Sequence, residues 1–167
     1  MTPAELLKDA FTRIADEVPA VVDGLTDDQL TQRVGPEANT IAWLVWHLTR
    51  VQDDHVADVA GGDQVWTAQG FHQRFGLPFG VSETGYGFTA EQVGQVRAGA
   101  DLLIEYLQAT HARTVEYLDT LGEGHLDRVV DTRWDPPVTL GVRLVSVVND
   151  DTQHLGQAAY VRGLLEA

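Results

Sequence analysis

The sequence predicts an all-α protein, a four-helix bundle with one long aromatic-containing crossover loop. Apolar residues recur at helical spacing in four long segments, and no segment indicates a strand. The chain has 167 residues, of which 44% are hydrophobic, and this is enough for one core. We find no repeat and no linker, and therefore expect a single domain over residues 1–167.

Capping signals place the ends of the four predicted helices. Helix starts are predicted where Ser, Thr, Asp or Asn precedes an apolar periodic run, and ends where glycine follows it. These signals are a capping box at Thr2–Glu5, a cap at Asn39 or Thr40 with an end at Gly61, a capping box at Thr89–Gln92 with a break at Gly99, and a cap at Thr139. The fourth helix should run to about Leu165.

Residues 62–88 are the long crossover, in which aromatic residues alternate with glycines. A connection of this length inside a compact domain usually forms a binding loop or a lid. The alternative is a loop that its aromatic side chains pin to the bundle.

Composition excludes several classes of function. The formal net charge is −14, so the field of the protein would repel nucleic acid. No window approaches 18 apolar residues, and so we expect no membrane span. The chain has no cysteine, hence no disulfide, thiolate ligand or thiol nucleophile of its own, which fits a cytoplasmic protein.

The most informative polar residues lie in apolar surroundings. Asp150 and His154 are four residues apart on the predicted last helix, so they differ by about 40° around its axis. His47 lies in the apolar run of residues 40–48. Burying an imidazole or a carboxylate without a partner is costly. If His47, Asp150 and His154 converge, they form a site suited to a divalent metal.

Each of these residues also has an ordinary structural interpretation. His47 could be a core histidine bonded to a carbonyl, and Asp150 with His154 could be an ion pair on one helix. Asp151 competes with Asp150 as a ligand, because a spacing of three residues also shares a face.

Other polar residues are predicted to support the site or to lie apart from it. Asn149 and Gln157 could orient His154, and Asp54, seven residues after His47, could have a supporting or substrate-binding role. His55 and His111 should face solvent.

Two runs carry a resemblance to a known family. NTIAWLVWHL (residues 39–48), followed by Asp53-Asp54, resembles the second helix of the DinB-like superfamily. TLGVRLVSVVNDDTQHLGQAAYVRG (residues 139–163) resembles its last helix. The branch is similar to mycothiol-dependent maleylpyruvate isomerases and mycothiol S-transferases.

The resemblance implies an up-up-down-down bundle, often a homodimer, with zinc or nickel held by a histidine of the second helix and a pair on the last. By motif position these ligands are His47, Asp150 and His154. Family members often have His or Glu where this chain has Asp150, so a water between Asp150 and the metal remains an alternative. Iron is the less favoured metal.

Three protein ligands leave a coordination position open, as in catalytic zinc sites. The resemblance therefore implies that a low-molecular-weight thiol such as mycothiol is activated for S-transfer to a small electrophile, or for isomerisation. The crossover and Trp134 would line the electrophile pocket. The alternatives are a metal-assisted hydrolase and a non-catalytic, metal-binding stress-response module.

Overall fold

The computed structural model describes residues 1–166 and confirms the all-α class. Its helices are α1 (Pro3–Val22), α2 (Asp27–Leu30), α3 (Ile41–Ala60), α4 (Val65–Ala68), α5 (Phe71–Phe75), α6 (Ala90–Gln95), α7 (Ala100–Leu118) and α8 (Leu140–Leu165). One 3₁₀ turn covers His125–Asp127. The expectation of no strand was wrong at one place, because β1 (Val129–Asp131) and β2 (Val138–Thr139) form a short antiparallel pair just before α8.

The predicted caps are present at the helix starts. Thr2 and Thr89 form complete capping boxes with Glu5 and Gln92. Thr40 begins α3, where its hydroxyl accepts a hydrogen bond from the Trp43 backbone N–H at 3.1 Å. The chain leaves helical geometry after Gln95, and α7 begins with Gly99 as its N-cap, so the break predicted at Gly99 is confirmed.

The four long helices form the bundle, in which α3 and α1 each pack against α7 and α8. One apolar cluster joins Leu7 near the start of α1, Val59 near the end of α3, Leu118 at the end of α7 and Leu140 at the start of α8. Thus α1 and α8 run in one direction, and α3 and α7 run in the opposite direction.

The order of directions is therefore up-down-down-up, whereas the expected order was up-up-down-down. The reason is the number of long connections. An up-up-down-down bundle needs two connections that travel the length of the bundle, and this chain has one, between the parallel helices α3 and α7.

That connection, residues 61–99, is fixed to the bundle by aromatic side chains. Trp66, Phe71 and Phe75 are buried, and their ring centroids lie 5.2, 5.0 and 5.8 Å from that of Tyr106 on α7. The connection contains three short helices and is pinned to the bundle, as the aromatic-anchor interpretation held. Its residues 84–86 lie over the face where α3 meets α8.

Among residues 1–166, the helices include none with the length and apolarity of a membrane span.

Candidate metal centre

His47, Asp150 and His154 come together where α3 and α8 pack antiparallel. One nitrogen or oxygen atom from each of them lies within 4.8 Å of the other two. Asp150 and His154 are one turn apart, so both side chains face α3 at the level of His47. The structure thus brings together the three residues that the sequence predicted.

His47 is 5% exposed and is held in one orientation. Its Nδ1 donates to the backbone carbonyl of Thr84 at 2.6 Å, and its ring stacks on Trp43 with centroids 4.5 Å apart. A carbonyl can only accept, so the proton is on Nδ1 and the lone pair is on Nε2. Burial lowers the pKa of His47 and keeps the ring neutral, as a metal ligand must be.

His154 is oriented in the same way as His47, but its hydrogen-bond partner is a side chain. Its Nδ1 donates to Gln157 Oε1 at 3.1 Å, which leaves Nε2 as the free atom, 3.7 Å from Asp150 Oδ2. Gln157 is thus placed to orient His154, in the way the sequence indicated. Asn149 is exposed, and among residues 1–166 its side chain makes no hydrogen bond to His154.

The donor set fits a divalent cation. Asp150 Oδ2 is buried and accepts no hydrogen bond from residues 1–166, although a carboxylate oxygen without a partner is costly to bury. It faces the free nitrogen of His154, and two imidazoles with one carboxylate are a common ligand set for zinc and other divalent metals.

Asp151 does not belong to this group. It is fully buried on the core stripe of α8, and burial raises its pKa well above the usual range. A neutral carboxyl in the core is a poor ligand, so the geometry favours Asp150 over Asp151.

The chain closes over His47 at Gly85. This residue has φ +96°, and a Cβ there would lie 2.9 Å from His47 Nδ1 and 2.9 Å from Trp46 Cζ3. Only glycine lets the backbone approach this closely, and this approach brings the Thr84 carbonyl onto His47.

A cavity of about 420 Å³ opens beside the three residues. His47 and Asp150 form one side, and Asp54 and Tyr86 are also in its wall. Asp54 Oδ1 accepts from Gln64 Nε2 at 2.7 Å, so the Asp54 carboxylate lines the cavity and is held by the crossover. Trp134, predicted to line the pocket, is 67% exposed and lies outside this wall.

Two histidines predicted to face solvent are partly buried, so those predictions were wrong. His55 lines the cavity, and its Nδ1 faces Arg143 Nη1 at 3.2 Å. His111 lies between α7 and α1, with Nε2 3.4 Å from Thr12 Oγ1. Packing from neighbouring helices buries both rings, and one-helix spacing does not reveal this.

A buried polar network on α3 was not predicted either. Arg50 is fully buried, and it donates to the Glu83 carbonyl at 3.2 Å and to Gln64 Oε1 at 2.8 Å. Asp53 accepts from the backbone N–H groups of Val65 and Trp66, both at 2.8 Å. The available signal was an arginine and an aspartate three residues apart in a helix that is mostly apolar.

Comparisons with known proteins agree with the fold and show the family. A family model described as Mycothiol-S-transferase matches residues 6–167. A solved structure, titled "Crystal structure of the conserved protein of locus from Enterococcus faecalis", is similar with a TM-score of 0.90 and 31% sequence identity. The match covers 97% of this chain and 96% of that one. No curated protein matches the chain significantly.

Proposed function

The chain belongs to the mycothiol S-transferase family, and from this premise we propose that it is a cytoplasmic, metal-dependent enzyme that transfers mycothiol, or a similar low-molecular-weight thiol, to a small electrophile. The observation that carries the proposal is the convergence of His47, Asp150 and His154 beside an open cavity. A buried site whose only role was structural would have no need of a cavity at its ligands.

In this proposal His47 and His154 hold the metal through Nε2, and Asp150 holds it through its carboxylate. Zinc or nickel is the metal that we propose, in keeping with the family resemblance. When bound, such a metal lowers the pKa of a coordinated thiol and so supplies a thiolate near neutral pH.

The residues around the ligands have supporting roles. The Thr84 carbonyl and Gln157 keep the two imidazoles in the tautomer that presents Nε2. Trp43 covers the face of His47, and its ring is 5.8 Å from that of His154. These contacts hold the ligand atoms in place before a thiol arrives, which favours reaction in one geometry.

Asp54 and Tyr86 line the cavity, and we propose that they contact the polar body of the thiol. A carboxylate and a phenol are suitable partners for hydroxyl or amide groups. The chain has no cysteine, so in this proposal the thiol nucleophile comes from a separate molecule.

We also propose a homodimer. Val142, Val145, Tyr160 and Leu164 are each at least 46% exposed, and they share about 100° of one face of α8. A face of this kind is often covered by a partner. Light scattering at several protein concentrations would detect the dimer, and a monomer at all of them would contradict it.

The test of the function is product mass. Protein loaded with zinc or nickel is given mycothiol and a panel of electrophiles, and mass spectrometry identifies the products. We expect the mass of the thiol to be added with the wild type and not with His154→Ala, while His125→Ala, which changes an exposed distant histidine, remains active. Addition of water alone would indicate hydrolysis, and no product from any electrophile would contradict catalysis.

A further inference from the structure

The cavity has a second polar feature about two turns along α3 and α8 from His47 and Asp150, the pair His55 and Arg143. His55 belongs to α3 and Arg143 to the first turn of α8, and both line the cavity. The thiol-transfer role proposed above uses neither of them.

Arg143 determines which nitrogen of His55 carries the proton. Its Nη1 is 3.2 Å from His55 Nδ1, and a guanidinium has donors only. Nδ1 must therefore accept, so the ring is neutral and its proton is on Nε2. Burial, and next Arg143, lower the pKa of His55, and these effects exceed the opposite effects of Asp54, Asp58 and Asp150.

Arg143 is itself held in place. Its side chain is 12% exposed, and its guanidinium contacts Asp131 at 3.3 Å and Asp58 at 3.4 Å. Asp131 lies on β1, so the small sheet before α8 fixes the arginine. To rotate, the His55 ring would have to break its contact with Arg143, and the two aspartates hold that arginine in place.

The His55 Nε2–H is free to bind a ligand. It makes no hydrogen bond within residues 1–166, and His55 lines the cavity. We propose that this N–H donates to the carbonyl oxygen of the electrophile, and that the site therefore favours α,β-unsaturated carbonyl compounds. This inference rests on the proposed thiol transfer.

The addition of the thiol to the unsaturated carbonyl compound needs no further reactant besides water. The thiolate sulfur bonds to the β-carbon, and the C=C π pair moves so that an enolate oxygen forms, hydrogen-bonded to His55 Nε2–H. The α-carbon then takes a proton from water, which replaces the proton that the thiol released. A fixed, neutral imidazole donor is suited to such an oxyanion because no reorganisation is needed as charge develops. Arg143 is a positioning residue in this step.

The experiment compares two electrophiles on the full, metal-loaded chain with mycothiol. 2-Cyclohexenone has the carbonyl acceptor, and benzyl chloride lacks one. His55→Phe should lower kcat for cyclohexenone about 100-fold, and should leave benzyl chloride transfer and metal content unchanged. His55→Gln, which keeps an N–H donor near the same place, should retain most of the activity. Equal loss with both electrophiles, or no loss, would overturn the inference while thiol transfer stands.

A binding measurement tests whether His55 Nε2–H donates to a carbonyl oxygen, even if no thiol transfer is found. Nitrogen-15 NMR of the histidines should show His55 as the Nε2–H tautomer in the wild type and as a mixture in Arg143→Met. Unreactive cyclohexanone should shift the His55 Nε2 signal. An Nδ1–H tautomer in the wild type, or no shift with the ketone, would overturn the inference independently of activity.

Discussion

Gly85 shows how one residue can hold a candidate metal ligand in place through a close backbone contact. Its positive φ and missing side chain let residues 84–85 lie against His47, and the Thr84 carbonyl then fixes the imidazole. Gly87 also has a positive φ, of +73°, but a Cβ there would meet no atom within 4 Å. A comparison of substitutions at the two glycines therefore separates the effect of backbone strain from the effect of a close steric contact.

We predict that Gly85→Ala is destabilising and weakens metal binding at least 10-fold, whereas Gly87→Ala carries only the backbone strain of about 1 kcal/mol. The added methyl at residue 85 would have to displace His47 or Trp46. Denaturant unfolding and competition with a coloured chelator measure the two effects. Equal metal affinity in both variants would show that the approach at Gly85 does not hold His47.

The three candidate ligands could be predicted from the sequence because helical spacing fixes which side chains share a face. The period of α8 indicated His154 with either Asp150 or Asp151, and the apolar neighbours of His47 indicated that residue. The Thr84 carbonyl and Gly85 could not be predicted, since their roles depend on where residues 81–88 lie after folding. The role of Gln157 could be predicted, because it is three residues from His154 on the same helix.

At the scale of elements, the Arg50 network links the crossover to the site. Arg50 donates to the Glu83 carbonyl, and the next residue, Thr84, accepts from His47. Asp53 holds the start of α4 from the same helix. The crossover is thus bonded to α3 on both sides of residues 67–82.

We predict that Arg50→Met destabilises the protein by about 3–5 kcal/mol, because it leaves Asp53 buried with no cationic partner. It should also weaken metal binding, since Glu83 and Thr84 lose their anchor. Chemical denaturation and a metal titration provide the measurements. Arg13→Met is the control, because Arg13 is 73% exposed and pairs with Asp9 on the surface. Similar effects of the two substitutions would contradict the role given to the network.

Helix positions followed from caps and periodicity, but helix directions did not. The Thr40 cap and Gly61 are local signals, and α3 begins and ends at them. Direction depends on which connection crosses the bundle, and that is set by the packing of α4 and α5 against α7. The β1–β2 pair was missed because three-residue and two-residue strands are too short to show a period.

At the scale of the whole molecule, partly buried histidines make stability depend on pH. Burial lowers the pKa of His47, His55 and His111. As the pH falls below about 6.5, the unfolded chain binds protons that the folded chain does not, so stability is lost on acidification. His111 isolates the effect, because it lies apart from the metal centre, near Thr12.

We predict that His111→Gln loses less stability than the wild type between pH 7 and pH 5. The variant lacks one group that takes up a proton on unfolding in this range, while the contributions of His47 and His55 are common to both proteins. Urea unfolding at several pH values measures the difference. Parallel pH profiles would mean that His111 titrates alike in the folded and unfolded chains.

We propose that His47, Asp150 and His154 hold one metal ion. Elemental mass spectrometry on tag-free protein measures this, with His154→Ala and the surface control His125→Ala prepared alongside. We expect about one zinc or nickel ion per chain in the wild type and in the control, and loss of the ion in His154→Ala. A wild-type protein without metal after loading, or the same metal content in His154→Ala, would contradict it.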